Sequence, residues 1–127
     1  MSLVDHNIPE LYQKIDSMSS KELDALPLGT IQLDRDGEIL QYNASEEKLA
    51  HTTKAKVIGK NFFTEVAPCT DVQAFRGRFL EGVRKKDLHE TFRYHFSFKI
   101  NPVDVSVTLY YSGRTDTVWV FVRKLEE

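Results

Sequence analysis

Alternation dominates the last third of the chain. Phe92, Tyr94, Phe96, Phe98 and Ile100 interleave with Arg93, His95, Ser97 and Lys99. A period of two places the aromatic row on one face of a strand. Val103, Val105, Val107 and Leu109 repeat the pattern. A turn near Ser112-Gly113-Arg114 leads into Val118-Trp119-Val120-Phe121-Val122, which is apolar on both faces. Such a run suits a central strand covered on both sides.

The pattern also changes at Gly29. Thr30-Ile31-Gln32-Leu33-Asp34 alternates, and Glu38-Ile39-Leu40-Gln41-Tyr42 does so in part. Between them Arg35-Asp36-Gly37 is a tight-turn sequence, and Asp-Gly is a strong hairpin signal. Residues 43–50 are helix-like and lead through a loop or short helix to Ile58-Gly59. Phe75, Phe79 and Val83 form the apolar stripe of a longer helix over residues 71–86. Ahead of Gly29 the chain is polar. Ile8, Leu11, Tyr12 and Ile15 share a face of one short helix. Ser19 or Ser20 can cap a second turn through Leu26, ended by Pro27. Isolated helices this short are marginal in water, so they must dock. The order of elements implies an α+β fold: a five-stranded antiparallel sheet with helices on one face and an N-terminal helical cap on the other. The cap, residues 1–27, is read as part of the same domain as residues 28–127. No internal repeat or low-complexity linker interrupts the chain.

Composition narrows the function classes. At 127 residues the chain is one domain by size. A hydrophobic share of 41% with 28% charged residues is that of a soluble globular protein. The formal net charge of -2 argues against a dominant nucleic-acid surface. No apolar run approaches the roughly 20 residues that span a bilayer. Met1-Ser2-Leu3-Val4-Asp5-His6 has neither the basic flank nor the apolar core of a signal peptide. A cytoplasmic, reducing environment is expected. There the single cysteine, Cys69, has no internal disulfide partner and stays free to react.

Three side chains carry candidate chemistry, and each admits two readings. Asn43-Ala44-Ser45-Glu46 fits a capping box, with Asn43 as N-cap and Glu46 reaching back. Alternatively, Tyr42 and Glu46 both turn inward and offer two donors to one buried acceptor, because a carboxyl among apolar groups stays protonated. Cys69 follows Pro68 and precedes Thr70-Asp71, where Asp71 can cap the following helix. A thiol near a helix start is more reactive; the plainer reading is a small buried hydrophobe. A Cys–His hydrolase is disfavoured because no local spacing ties His6, His51, His89 or His95 to Cys69. A zinc site lacks its ligand spacing. The aromatic row is read chiefly as core, with some members free to line a pocket, and Arg84-Lys85-Lys86 as a solvated helix end.

Four stretches together resemble the photoactive yellow protein family, small bacterial blue-light receptors of the PAS fold. They are Gln41-Tyr42-Asn43-Ala44, Val57-Ile58-Gly59-Lys60-Asn61-Phe62-Phe63, Val66-Ala67-Pro68-Cys69-Thr70-Asp71 and Trp119-Val120-Phe121-Val122. The resemblance runs from about Leu26 to Leu125. It implies a PAS photosensor core over residues 28–127. It further implies 4-hydroxycinnamic (p-coumaric) acid held as a thioester on Cys69. Tyr42 and Glu46 would hydrogen-bond its phenolate, in a pocket lined by Ile31, Ala50, Thr52, Phe62, Val66, Ala67, Thr70, Phe96, Phe98 and Ile100. Light-driven trans–cis isomerisation and proton transfer from Glu46 would then open the structure locally, with release of the cap as the signal to a downstream protein. A non-enzymatic monomer without nucleic-acid or membrane partners is expected. The chain departs from the family's pattern at Ala50, Thr52, Phe98 and Ile100, where threonine, arginine, tyrosine and methionine are common. The competing reading is a PAS-type ligand or protein-interaction sensor that carries no chromophore.

Overall fold

The computed structural model describes residues 10–97 and 102–125. Its strands are β1 (Gly29–Leu33), β2 (Ile39–Tyr42), β3 (His89–Phe96), β4 (Val103–Ser112) and β5 (Thr117–Lys124). They form one antiparallel sheet in the order β2-β1-β5-β4-β3. The two-sided run Val118–Val122 therefore lies in an inner strand between β1 and β4. Val118, Val120 and Val122 face the main core, while Trp119 and Phe121 face a second cluster. Of the aromatic row, Phe92, Tyr94 and Phe96 lie on the core side of edge strand β3; Phe98 and Ile100 lie outside the described residues.

The β1–β2 connection follows from its turn chemistry. Asp34 Oδ1 accepts from the backbone N–H of Asp36 and of Glu38, both at 2.9 Å. Gly37 takes a φ of 96°, which a side chain would strain. Helices α2 (Ala44–Ala50), α3 (Lys54–Val57) and α4 (Arg78–Lys85) follow α1 (Ser20–Asp24). The expected stripe of Phe75, Phe79 and Val83 is buried, but the helix over residues 71–86 is not uniform. A π-helical turn, Gln73–Gly77, precedes α4. The wider turn still leaves Phe75 and Phe79 on the core side, packed with Phe63 at centroid distances of 6.0 and 4.9 Å. Burying such side chains stabilises by about 1.5–3 kcal/mol each.

The segment before β1 packs on the far face of the sheet. Residues 10–14 are helical and run into a 3-10 turn, Ile15–Ser17. Leu11, Ile15, Leu23 and Leu28 join Trp119 and Phe121 in the second cluster. Of the two expected caps it is Ser19 that caps α1, in a reciprocal box with Glu22. Ile8, expected on the same helical face, lies outside the described residues.

One polar side chain ties this cap to the sheet. Asp16 Oδ1 accepts from Trp119 Nε1 at 2.9 Å and Thr115 Oγ1 at 3.2 Å. Its Oδ2 accepts from Ser112 Oγ at 2.6 Å and Arg114 Nε at 3.0 Å. Burial alone would raise the carboxyl's pKa, but these hydrogen bonds outweigh it and hold Asp16 below the ordinary value. Tyr12 adds a ring stacked on Tyr110 at 4.1 Å. Among the described residues no helix is long and apolar enough to cross a membrane.

Candidate functional site

Glu46 sits in the first turn of α2, and Asn43 fixes that turn. Asn43 Oδ1 accepts from Glu46 N at 3.1 Å and from Thr30 N at 2.8 Å. Asn43 Nδ2 donates to Leu23 O at 2.8 Å and Leu28 O at 3.0 Å. The expected N-cap is therefore present. The return arm is not, because the Asn43 N–H donates to Thr30 O at 3.0 Å. Glu46 is thus left free to turn inward, where it is 1% exposed.

Gly29 makes room for it. Gly29, Val122, Val107 and Phe92 stand opposite one another across four strands. The row lacks a side chain at its β1 position, and Glu46 occupies the gap. A Cβ on Gly29 would lie 2.1 Å from Glu46 Oε1 and 3.3 Å from the Val122 Cβ. We expect Gly29→Ala to evict the carboxyl and to cost about 1–3 kcal/mol of stability. Carboxyl carbon NMR would report a Glu46 titration moved toward the ordinary glutamate range. An unmoved titration would show that Gly29 does not set the position of the side chain.

Oε1 of Glu46 is buried and has no hydrogen-bond partner among the described residues. Burial pushes the carboxyl up to about 8, so it is neutral at pH 7. Tyr42, 3% exposed, is raised well above the usual phenol range, first by burial and then by the charges of Glu46 and Glu47. At neutral pH both groups keep their protons and can donate.

Both groups line a cavity of about 220 Å³ with Ala50, Thr52, Val57, Phe62, Val66 and Ala67; Lys56, Lys60 and Glu65 complete its wall. A cavity of about 150 Å³ already accommodates benzene, so this one has space for an aromatic ring with a short tail. Val57, Lys56, Lys60 and Glu65 were not among the expected lining residues. An apolar pair, Val57-Ile58, ahead of a glycine was the available signal that one of the two faces inward.

Cys69 is the middle residue of a 3-10 turn, Pro68–Thr70, that continues from Ala67 in the cavity wall. It is half-buried and packs against the main core. Tyr94 Oη donates to the Cys69 carbonyl oxygen, and Thr70 Oγ1 donates to Ala67 O at 2.6 Å. Asp71 does not cap the next helical segment. Val72 holds that position, and Asp71 accepts from Arg76 Nη1 at 3.0 Å instead. Of the other expected lining residues, Ile31, Thr70 and Phe96 are buried but do not form the cavity wall. Among the described residues no cluster of histidine, cysteine and carboxylate side chains could hold a metal ion.

The PAS fold family model matches residues 18–125. The photoactive yellow protein of Halochromatium salexigens is 41% identical over 125 residues, covering 98% of this chain and all of that protein. That of Rhodothalassium salexigens is 38% identical over the same coverage. The photoactive yellow protein domain from the sensor histidine kinase Ppr of Rhodospirillum centenum superposes with a TM-score of 0.85 at 46% identity, covering 89% of this chain and 99% of that one.

Proposed function

The chain belongs to the photoactive yellow protein family of PAS-fold photoreceptors, and on that footing we propose that its cavity carries p-coumaric acid as a thioester on Cys69. The observation that carries this reading is the Glu46 carboxyl: buried, neutral at pH 7 and, among the described residues, without a partner at Oε1, beside a second buried donor, Tyr42. A buried polar atom in that state lacks only an acceptor. The apolar wall of Val57, Phe62, Val66 and Ala67 suits an aromatic ring, and Cys69, two residues beyond Ala67, is a free thiol. When bound, the hydroxycinnamoyl group supplies blue-light absorption and a double bond that light can isomerise.

The residues of the chain govern the response to light. Tyr42 and Glu46 donate to a phenolate, favouring its anion in a low-dielectric site. If Glu46 gives up its proton, its carboxylate is a buried charge without a counterion, which strongly destabilises the packing around it. The disturbance falls on α2, and α2 is bonded directly to the cap. Asn43 holds the carbonyls of Leu23 and Leu28, Ala44 N donates to Asp24 Oδ1 at 2.8 Å, and Ser45 Oγ donates to Leu26 O at 2.7 Å. Proton loss at Glu46 therefore loosens the cap, and local opening of the cap is the signal. The kinship with a domain of a sensor histidine kinase supports a signalling protein as the recipient.

The test is to incubate the apoprotein with activated p-coumaric acid and record intact mass and visible spectrum. The expected result is one thioester adduct with a blue-absorbing band that bleaches in light and recovers, both lost in Cys69→Ala. Neither adduct nor colour would favour a PAS sensor that works without chromophore.

A further inference from the structure

Residues 48–60 contain Lys48, Lys54, Lys56, Lys60 and His51 and no carboxylate, in a chain whose formal net charge is -2. Lys54 is neutralised by Asp24 at 2.9 Å. Lys48, Lys56 and Lys60 have no ion-pair partner among the described residues. Lys48 and His51 line an open groove of about 510 Å³ with Glu47, Thr52, Thr53 and Lys56. Its one carboxylate, Glu47, is engaged, accepting from the Lys54 backbone N–H at 2.7 Å. Thr52 and Lys56 belong both to this groove and to the wall of the cavity. The basic groove and the cavity thus share part of a wall.

Resting on the thioester reading above, we propose that this groove docks the phosphate-bearing leaving group of the activated acyl donor that loads Cys69. A free carboxylate does not condense with a thiol in water, so the acyl group must arrive activated. Water-soluble activated acyl groups commonly travel on phosphate-bearing carriers, whose charge the unpaired lysines complement. In the loading step the Cys69 thiol loses its proton to solvent and its sulfur bonds to the acyl carbon. The donor's own bond from that carbon to its leaving sulfur breaks, and the departing thiolate takes up a proton. No oxidant or reductant is needed. The groove holds the carrier while the aryl group enters the cavity, raising the local concentration of donor.

The experiment compares attachment rates to the apoprotein from two donors with the same acyl group: the coenzyme A thioester and the uncharged N-acetylcysteamine thioester. At low ionic strength the double variant Lys48→Gln, His51→Asn, which alters the groove but no residue of the cavity wall, should load severalfold more slowly from the coenzyme A donor. Its rate from the uncharged donor should match that of the unaltered protein. Arginine at both positions should restore the difference between donors, and salt should abolish it. Free coenzyme A should bind the unaltered apoprotein more tightly than the double variant in titration calorimetry. Equal rates in variant and unaltered protein with both donors, or an equal loss with both, would overturn the proposal. Attachment from neither donor to the unaltered protein would overturn the thioester reading itself, and this proposal with it.

Discussion

Between about pH 5 and about pH 8 the apoprotein is expected to lose stability as the pH rises, and Glu46→Gln should flatten that decline. Burial raises Glu46 from an ordinary value near 4.5 to about 8. In this window the unfolded chain has released the proton and the folded chain still holds it. Stability therefore falls with increasing pH, by about 1.4 kcal/mol per unit from this group. Across the window that amounts to roughly 3–5 kcal/mol, and above pH 8 the contribution is constant. Urea denaturation at pH 5, 6.5 and 8 on both proteins measures it. The informative quantity is the difference between the two slopes, which isolates the contribution of this one group. Identical slopes would mean that Glu46 is not the group holding the proton.

The second large effect is expected at the cap. Asp16→Ala removes an acceptor shared by Trp119, Ser112, Arg114 and Thr115. It leaves the indole N–H of a nearly buried tryptophan without its partner. A loss of about 2–4 kcal/mol is expected. Hydrogen exchange at the amides of residues 11–23 should accelerate well beyond that of β5. Asp16→Asn retains an acceptor and should fall between. Because the Asp16 pKa is lowered in the folded state, its contribution is present above the ordinary carboxylate range. It is lost as the pH falls through the folded value, so acid weakens the latch. Unchanged exchange in Asp16→Ala would show that apolar packing alone seats the cap.

The sheet was legible in the sequence because its signals are local. A period of two over Phe92, Tyr94 and Phe96, and a two-sided apolar run at Val118–Val122, each specify a strand and its exposure without reference to the rest of the chain. Glu46 was not decidable in that way. Its spacing from Asn43 supports a box, and the inward rotamer is selected by an absent side chain at Gly29 on another strand. The Asp16 latch escaped for a related reason. A lone aspartate in a polar segment gives no pattern, and its partners lie 96 to 103 positions away. The helix expected from Asp71 began late because periodicity reports which side chains face the core. It does not report the pitch of the turn that carries Phe75 there. Cys69 was recognisable as the sole thiol, but its seat beyond the cavity wall depends on the 3-10 turn at Pro68, which no spacing rule anticipates.

Trp119 is the only tryptophan of the chain. It lies at the seam between cap and sheet, 2% exposed, with its indole N–H on Asp16. The protein therefore carries an intrinsic fluorescent reporter of cap docking. Undocking would bring water to the indole and move its emission to longer wavelength, so the cap can be followed in the unlabelled protein, in real time, independently of any colour change at the cavity on the opposite face of the sheet.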